Sequence, residues 1–391
     1  MPSAILDLDV ESLPPRIHVP ARYRRALVLL RWRGKPIGQA TIPVHHGSIA
    51  GAHLRDAVLD ALGDRVLKEL VGQYLGSAQF EAPPATGVTV AVCTRDRPAG
   101  LERCLTALAL LPADGQEILV VDSASRTDAT ARVCDAHGAR YVREERPGLD
   151  RARNRALIEA QGSIVAFTDD DAAPDPGWLR ALCRPFADPR VLAVTGLTMP
   201  LELETEAQEW FERTNALGRG FLRRRFDGSE HNAMLVARIG AGANQAFRRD
   251  VLDLVGPFDE ALDAGTPTRS GGDHDMYTRI LAAGYTIVYE PEALSWHRHR
   301  REWHELRSTI YGYGVGVYAY LTGQLLRREA NVLRIALGWL SVQIPALFRS
   351  ILRRPGRRPL DLILAELAGC VVGPFAYLRS RRIAGASVRR P

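Results

Sequence analysis

A short apolar run that ends in three consecutive carboxylates, Ile164-Val165-Ala166-Phe167-Thr168-Asp169-Asp170-Asp171 after Gly162-Ser163, constrains this chain more than any other feature. An uninterrupted apolar run of this length reads as a strand buried on both faces of a parallel sheet, with the acids at its carboxyl edge. In open α/β sheets that edge is where ligands bind. Side chains alternate along extended backbone, so Asp169 and Asp171 can meet at one cation while Asp170 points elsewhere. Oxygen ligands favour Mg2+ or Mn2+, and those ions favour a phosphate-bearing substrate. The competing reading is a polar loop in which one Asp caps a helix over 176–182.

The flanking text predicts the rest of such a sheet. Val88 to Val92 is a β-branched strand that turns at Cys93-Thr94-Arg95-Asp96-Arg97-Pro98 into a helix over 101–110. A second strand over 117–121 ends at Asp122-Ser123-Ala124-Ser125, and a third near 140–142 precedes Gly148-Leu149-Asp150-Arg151-Ala152-Arg153-Asn154 at the start of another helix. This alternation is an α/β fold with a doubly wound sheet. The first loop has neither Gly-x-Gly-x-x-Gly nor Gly-Lys-Ser/Thr, which excludes a dinucleotide fingerprint and a P-loop.

With 391 residues, 46% hydrophobic and 25% charged, the chain holds one large or two modest domains. Residues 1–84 read as a small α+β accessory module. It has an unpatterned arm over 1–20, strands over 26–32 and 39–44 about Gly34-Lys35-Pro36, and a helix over 52–74. Its arginines (22, 24, 25, 31 and 33) read as solvated charge, with a membrane or partner face as the alternative. Pro83-Pro84 and Gly87 mark a boundary before a main domain over 86–305. The net charge of +6 is carried by arginine, since Lys35 and Lys68 are the only lysines. Five cysteines without metal spacing fit reduced thiols in a cytosolic protein and imply no zinc site. Asp7, Asp9 and Glu11 stand where a signal peptide would be basic and then apolar, so export is not expected. No nucleic-acid partner is expected either.

Residues 306–391 form a third region. Tyr311 to Leu321 mixes small and aromatic residues, and apolar segments over 335–348 and 362–378 follow, divided by Arg353-Arg354-Pro355-Gly356-Arg357-Arg358. The first segment is free of charge for 14 residues and the second contains Glu366, whereas a spanning helix needs about 20 apolar residues. Amphipathic helices lying on an anionic cytoplasmic leaflet account for both the aromatics and the arginines. The alternatives are a re-entrant or spanning hairpin, which would make the protein integral, and helices packed on the main domain.

Read together, Val-Ala-Val-Cys-Thr-Arg-Asp-Arg-Pro, Leu-Val-Val-Asp-Ser-Ala-Ser, Ala-Arg-Asn-Arg-Ala-Leu and Ala-Phe-Thr-Asp-Asp-Asp resemble, in order, the family 2 glycosyltransferases of GT-A fold. The resemblance continues through Gly240 to Arg249, Val255 to Glu260, Gly271 to Tyr285 and Trp296-His297, covering about residues 86–300. It implies a Rossmann-like mixed sheet and inverting transfer from a nucleotide-diphospho-sugar, with uracil the family-weighted base. The implied acceptor is a hydroxyl on a glycan or lipid-linked glycan.

Residue by residue, the resemblance implies that Thr94, Arg95 and Asp96 line the base and ribose pocket and that Asp122 bonds the base. It implies that Arg151, Arg153 and Asn154 serve the diphosphate, that Asp169 and Asp171 are the acids of a DxD motif with Asp170 between them in the donor site, and that His297 completes the metal set. Asn244, with Gln245, would bond sugar hydroxyls, and Trp296 would stack on the acceptor. Asp273 falls at the catalytic base, with Asp275 the runner-up. The family often has Glu-Asp here, and Gly272 departs from it. Two other functions fit less well. A sugar-phosphate nucleotidyltransferase should open with a Gly-rich, Lys-bearing loop, and a non-catalytic nucleotide-sugar scaffold has no use for Asp273.

Overall fold

The computed structural model describes residues 2–74, 87–229, 236–327, 332–354 and 357–388. The expected boundary at Pro83-Pro84 lies outside them. The first unit comprises β1 (Ser3–Asp9), β2 (Arg16–His18), β3 (Arg25–Trp32), β4 (Lys35–Pro43), β5 (Ser48–Ala50) and α1 (Gly51–Tyr74). β3 and β4 form the expected antiparallel hairpin, turning at Gly34 with φ of 78°. The expected arm is instead largely structured, because β1 pairs in parallel with β3 from Ser3↔Arg25 to Asp9↔Arg31. Asp7 and Asp9 hid its alternation. Asp7 is matched by Arg31 at 2.7 Å, and Ala4 joins the unit's own core while Ile5 packs on the opposite face.

β3 is buried on both faces. Ala26, Val28 and Leu30 pack with Leu54 and Leu62 of α1, whereas Leu27 and Leu29 join Leu197, Met199, Leu203, Tyr289 and Leu294 of the main unit. The seam also carries ion pairs from Arg22 to Glu204 at 3.2 Å, Arg25 to Glu209 at 3.3 Å and Arg31 to Asp175 at 2.6 Å. Three of the arginines read as solvated charge are therefore cross-unit contacts.

The main unit runs β6 (Val88–Thr94), α2 (Pro98–Leu108), β7 (Glu117–Ser123), α3 (Ala129–His137), β8 (Arg140–Glu144), α4 (Leu149–Glu159), β9 (Ile164–Asp169), β10 (Ala172–Pro174) and α5 (Trp178–Cys183). It continues with β11 (Val191–Pro200), α6 (Glu206–Asn215), β12 (Arg224–Asp227), β13 (Asn244–Arg248), α7 (Val251–Leu254), α8 (Gly272–Ala282) and β14 (Thr286–His297). One nine-stranded mixed sheet results, in the order β10-β14-β11-β13-β9-β6-β7-β8 with β12 on β14. The four strands from β8 to β9 are parallel, and β13 is antiparallel to both neighbours.

Alternation sorts the two faces. Val90, Val92, Val120 and Ala166 pack on α2, α3 and α5, whereas Ala91, Leu119, Val121, Val165 and Phe167 pack on α4 and α8. Covering both faces is what allows the near-continuous apolar strands. β14 runs through Pro291 to His297 without a turn. Its register against β11 slips between Glu290↔Gly196 and Leu294↔Leu197, so Pro291 lies in a bulge where its missing N–H is tolerated. Past that bulge, β14 brings His297 opposite Ala172, next to the acid triplet.

The last elements are α9 (Trp303–Leu326), α10 (Val332–Ile351) and α11 (Leu360–Val388). The expected division at 306 falls inside α9, which is a core helix: Val317, Tyr320 and Leu321 share the cluster of α4 and α8. Glycines set its approach to α11, since a Cβ on Gly373 would lie 2.6 Å from the Val315 carbonyl and one on Gly314 would run into that of Glu366. The stretch 311–321 therefore faces protein. α10 and α11 are each long and apolar enough to cross a membrane, with 11% and 50% of their apolar windows buried.

Candidate active site

A cavity of about 1040 Å³ opens at the carboxyl edge of the sheet. Asp169, His297 and Arg300 line one part of it, Arg153 and Asp273 another, and Trp339 of α10 and Glu366 of α11 also border it.

The end of β9 divides its acids by alternation. Asp170 is buried, accepts from Thr94 Oγ1 at 2.6 Å and pairs with Arg97, and burial still pushes its carboxyl up to about 6. Asp169 and Asp171 turn the other way and meet His297, with the ligand atoms of all three within 4.8 Å of one another. Burial opposes the charge on Asp171, yet His297, Arg97 and Arg300 outweigh it and hold this carboxyl well below the usual range. Burial and Asp171 together raise that of Asp169. His297 Nε2 stands 3.2 Å from Asp171 Oδ1, and its Nδ1 is 3.2 Å from Nδ1 of His299, whose Nε2 is 3.0 Å from Glu212. A second partner of this kind fixes a metal-binding ring in place. Two carboxylates and one imidazole at this spacing fit a divalent cation such as Mn2+ or Mg2+.

Asp273 lies in the first turn of α8, where Oδ2 accepts from Gly242 N at 3.1 Å and Oδ1 from His274 N at 2.8 Å. Its carboxylate is half-buried and borders the cavity. Arg153 is buried, donates to Asp150 at 2.9 Å and Asp263 at 2.8 Å, and lines the same wall.

Other expected site residues are held elsewhere. Asp275 is 1% exposed and bonded to Arg279 and Gln324 at 2.8 Å each and to Arg327, so it ties α8 to α9 and does not border the cavity. Asn244 donates both amide hydrogens to the Leu197 and Ala293 carbonyls and accepts from Trp178, which leaves no N–H for a sugar. Trp296 alternates with His297, packs into the seam with the first unit and does not border the cavity. Asn154 clamps Phe258 N and O, and Arg151 pairs with Glu260 at 3.1 Å, so of the expected diphosphate group only Arg153 borders the cavity.

The loops expected at the base are tied to each other. Asp96 N donates to Ser125 Oγ at 2.8 Å, and Asp96 accepts from Arg126 N at 2.9 Å, while Arg95 lies 3.9 Å from Asp96. Asp122 is fully buried, accepting from Ser125 N and from Tyr141 Oη at 2.9 Å each, so in this arrangement it closes a turn and presents no oxygen to a base. Arg97, Arg300, Asp150 and Asp263 were missed. Arg97 stands in the quoted first loop and Arg300 in the His- and Arg-rich run after His297, but Asp150 and Asp263 carry no local signal.

The family model described as "Glycosyl transferase family 2" matches residues 89–256. A pre-mycofactocin glycosyltransferase of Mycobacterium tuberculosis is 30% identical over 64% of this chain and 52% of its own, so the chain spans about half the length of that relative. The mannosyltransferase PcManGT of Pyrobaculum calidifontis, solved with GDP-Man and Mn2+, is 21% identical over 83% of each chain with a TM-score of 0.46. An uncharacterized glycosyltransferase of Mycobacterium bovis, Mb0553, is 33% identical over 46% of this chain and 74% of its own. That likeness, together with the family match across the strands that carry the acids, makes this chain a member of glycosyl transferase family 2.

Proposed function

We propose that the chain is an inverting, metal-dependent sugar transferase that moves a glycosyl group from a nucleotide-diphospho-sugar to an acceptor hydroxyl. The observation that carries this reading is one cavity bordered by Asp169 and His297, which cluster with Asp171, and by the half-buried carboxylate of Asp273. Asp169, Asp171 and His297 would hold Mg2+ or Mn2+, which when bound supplies positive charge for the leaving diphosphate. Arg300, 45% exposed and 3.4 Å from Asp171, adds a donor for the same oxygens. Asp273 accepts the proton of the acceptor hydroxyl as its oxygen attacks the anomeric carbon, and the bond to the diphosphate breaks in the same displacement. No covalent enzyme intermediate is required. A uracil nucleotide is the first base to try.

The acceptor is a glycan or lipid-linked glycan met at the cytoplasmic face of a membrane. The exposed apolar side chains of α10 and α11, beside Trp339 and Glu366 at the cavity border, support that part of the reading. The deciding experiment is a thermal-shift panel of UDP-, GDP- and dTDP-sugars with and without Mn2+, followed by donor turnover. Stabilisation by one donor that requires the metal is expected. Absence of any metal-dependent donor effect would overturn the reading.

A further inference from the structure

We propose that Asp150 is a positioning residue for transfer: its carboxylate fills the space of a side chain at position 272 and holds Arg153 on the cavity wall beside Asp273. The proposal rests on Asp273 as the base.

Three observations lead to it. First, α8 opens Gly271-Gly272-Asp273, and a Cβ added to Gly272 would lie 2.6 Å from both Cγ and Oδ1 of Asp150 and nearer still to Oδ2. The two positions compete for one volume, and the acid of α4 occupies it. Second, Asp150 is 1% exposed and its Oδ2 has no hydrogen-bond partner, a costly state for a buried carboxylate oxygen. It is kept at the N-terminal end of α8, where the peptide dipoles favour negative charge. Third, Arg153 donates to Asp150 at 2.9 Å and Asp263 at 2.8 Å. A Cβ on Gly242 would meet Arg153 Nη2 at 3.0 Å and Asp273 Oδ2 at 3.1 Å, so guanidinium and base flank the same glycine.

The two anchoring carboxylates decide where this buried charge goes. With both in place, Arg153 is held against Asp150 and Asp263 and leaves the oxygens of Asp273 to the Gly242 and His274 amides and the incoming hydroxyl. Without Asp150, the guanidinium keeps Asp263 as its one anchor and is freed toward Asp169 and Asp273, the other carboxylates that act on it; a pair with Asp273 would take up the lone pair that must receive the proton. The Gly at 272 is then what leaves this volume to the carboxylate of α4. A chain with acids at both positions would overlap them, and one with neither would free Arg153.

The test is a set of variants of the full chain assayed for transfer with the donor found by the panel, with thermal midpoints measured in parallel. Asp150→Ala should lower kcat by about tenfold or more with donor KM within about twofold, because Arg153 turns to Asp273 while Asp169, Asp171 and His297 are untouched. Gly272→Glu should lose at least as much. The double variant Asp150→Gly with Gly272→Glu should return to within about threefold of the parent kcat, a coupling that independent sites do not give. Asp150→Asn keeps the shape and removes the charge, so it carries the test if the Ala variant does not fold. Parent kcat in Asp150→Asn, or a double variant no better than Gly272→Glu alone, would overturn the proposal. Asp273→Asn is measured alongside. If it stays active the base is misassigned, whereas recovery of the double variant's midpoint still reports the exchange between 150 and 272.

Discussion

α10 offers the sharpest test of membrane association, because it carries exposed apolar side chains outside the core cluster and the cavity lining. Leu333, Leu337 and Phe348 recur at helical spacing on α10 and are 71%, 66% and 58% exposed. Burying such a side chain completely contributes about 1.5–3 kcal/mol, so their exposed portions together offer about 4 kcal/mol to a lipid interface. At about 1.4 kcal/mol per decade that is close to a thousandfold in partition. The variant Leu333→Glu, Leu337→Glu, Phe348→Glu should therefore lose flotation with vesicles containing anionic lipid while keeping its metal-dependent donor binding. Raising salt from about 0.15 to 1 M shortens the screening length from about 8 to 3 Å and should weaken the parent's binding without abolishing it. A triple variant that floats like the parent would refute the argument. So would a parent that never associates with vesicles. Retention of the parent in the pellet through carbonate washing would favour spanning helices over interfacial ones.

Asp171→Asn should remove the Mn2+-dependent part of donor stabilisation, which at a hundredfold excess over Kd amounts to about 2.7 kcal/mol. An undiminished metal-dependent shift would refute the ligand set. Asp273→Asn should keep donor affinity and lose transfer by about a hundredfold or more, and near-normal turnover would exclude it as the base. Asp275→Ala should destabilise the fold by about 3–5 kcal/mol, because Arg279, Gln324 and Arg327 are left around a vacated buried site. A loss below about 1 kcal/mol in denaturant unfolding would show that this junction matters little.

What the sequence disclosed follows from how local each signal is. β6, β7 and β9 are legible because a strand covered on both faces needs no polar interruption. β1 was not, because Asp7 and Asp9 break its pattern, and their partners in the fold, Arg31 for Asp7 and the Gly34 N–H for Asp9, lie on the hairpin. At the site, Asp169, Asp171 and His297 are brought together as their motifs suggested. Asn244, Asp275 and Trp296 are equally well marked in the sequence, yet each is committed to a tertiary partner that no spacing reveals: Trp178, Gln324 with Arg327, and the seam cluster. The network of Asp150, Arg153 and Asp263 joins residues 110 positions apart and exists only in the fold.

The double burial of β3 has a practical and an evolutionary side. A fragment begun at residue 86 to isolate the catalytic unit would leave Leu197, Met199, Leu203, Tyr289 and Leu294 without Leu27 and Leu29 over them. It would be expected to precipitate or bind chaperones for reasons unrelated to catalysis. The first sixty residues are thus a built-in lid for the sheet and not an optional tag. Grafting them onto another transferase would require that enzyme to carry a matching oily face, so the two units are expected to be inherited as a pair.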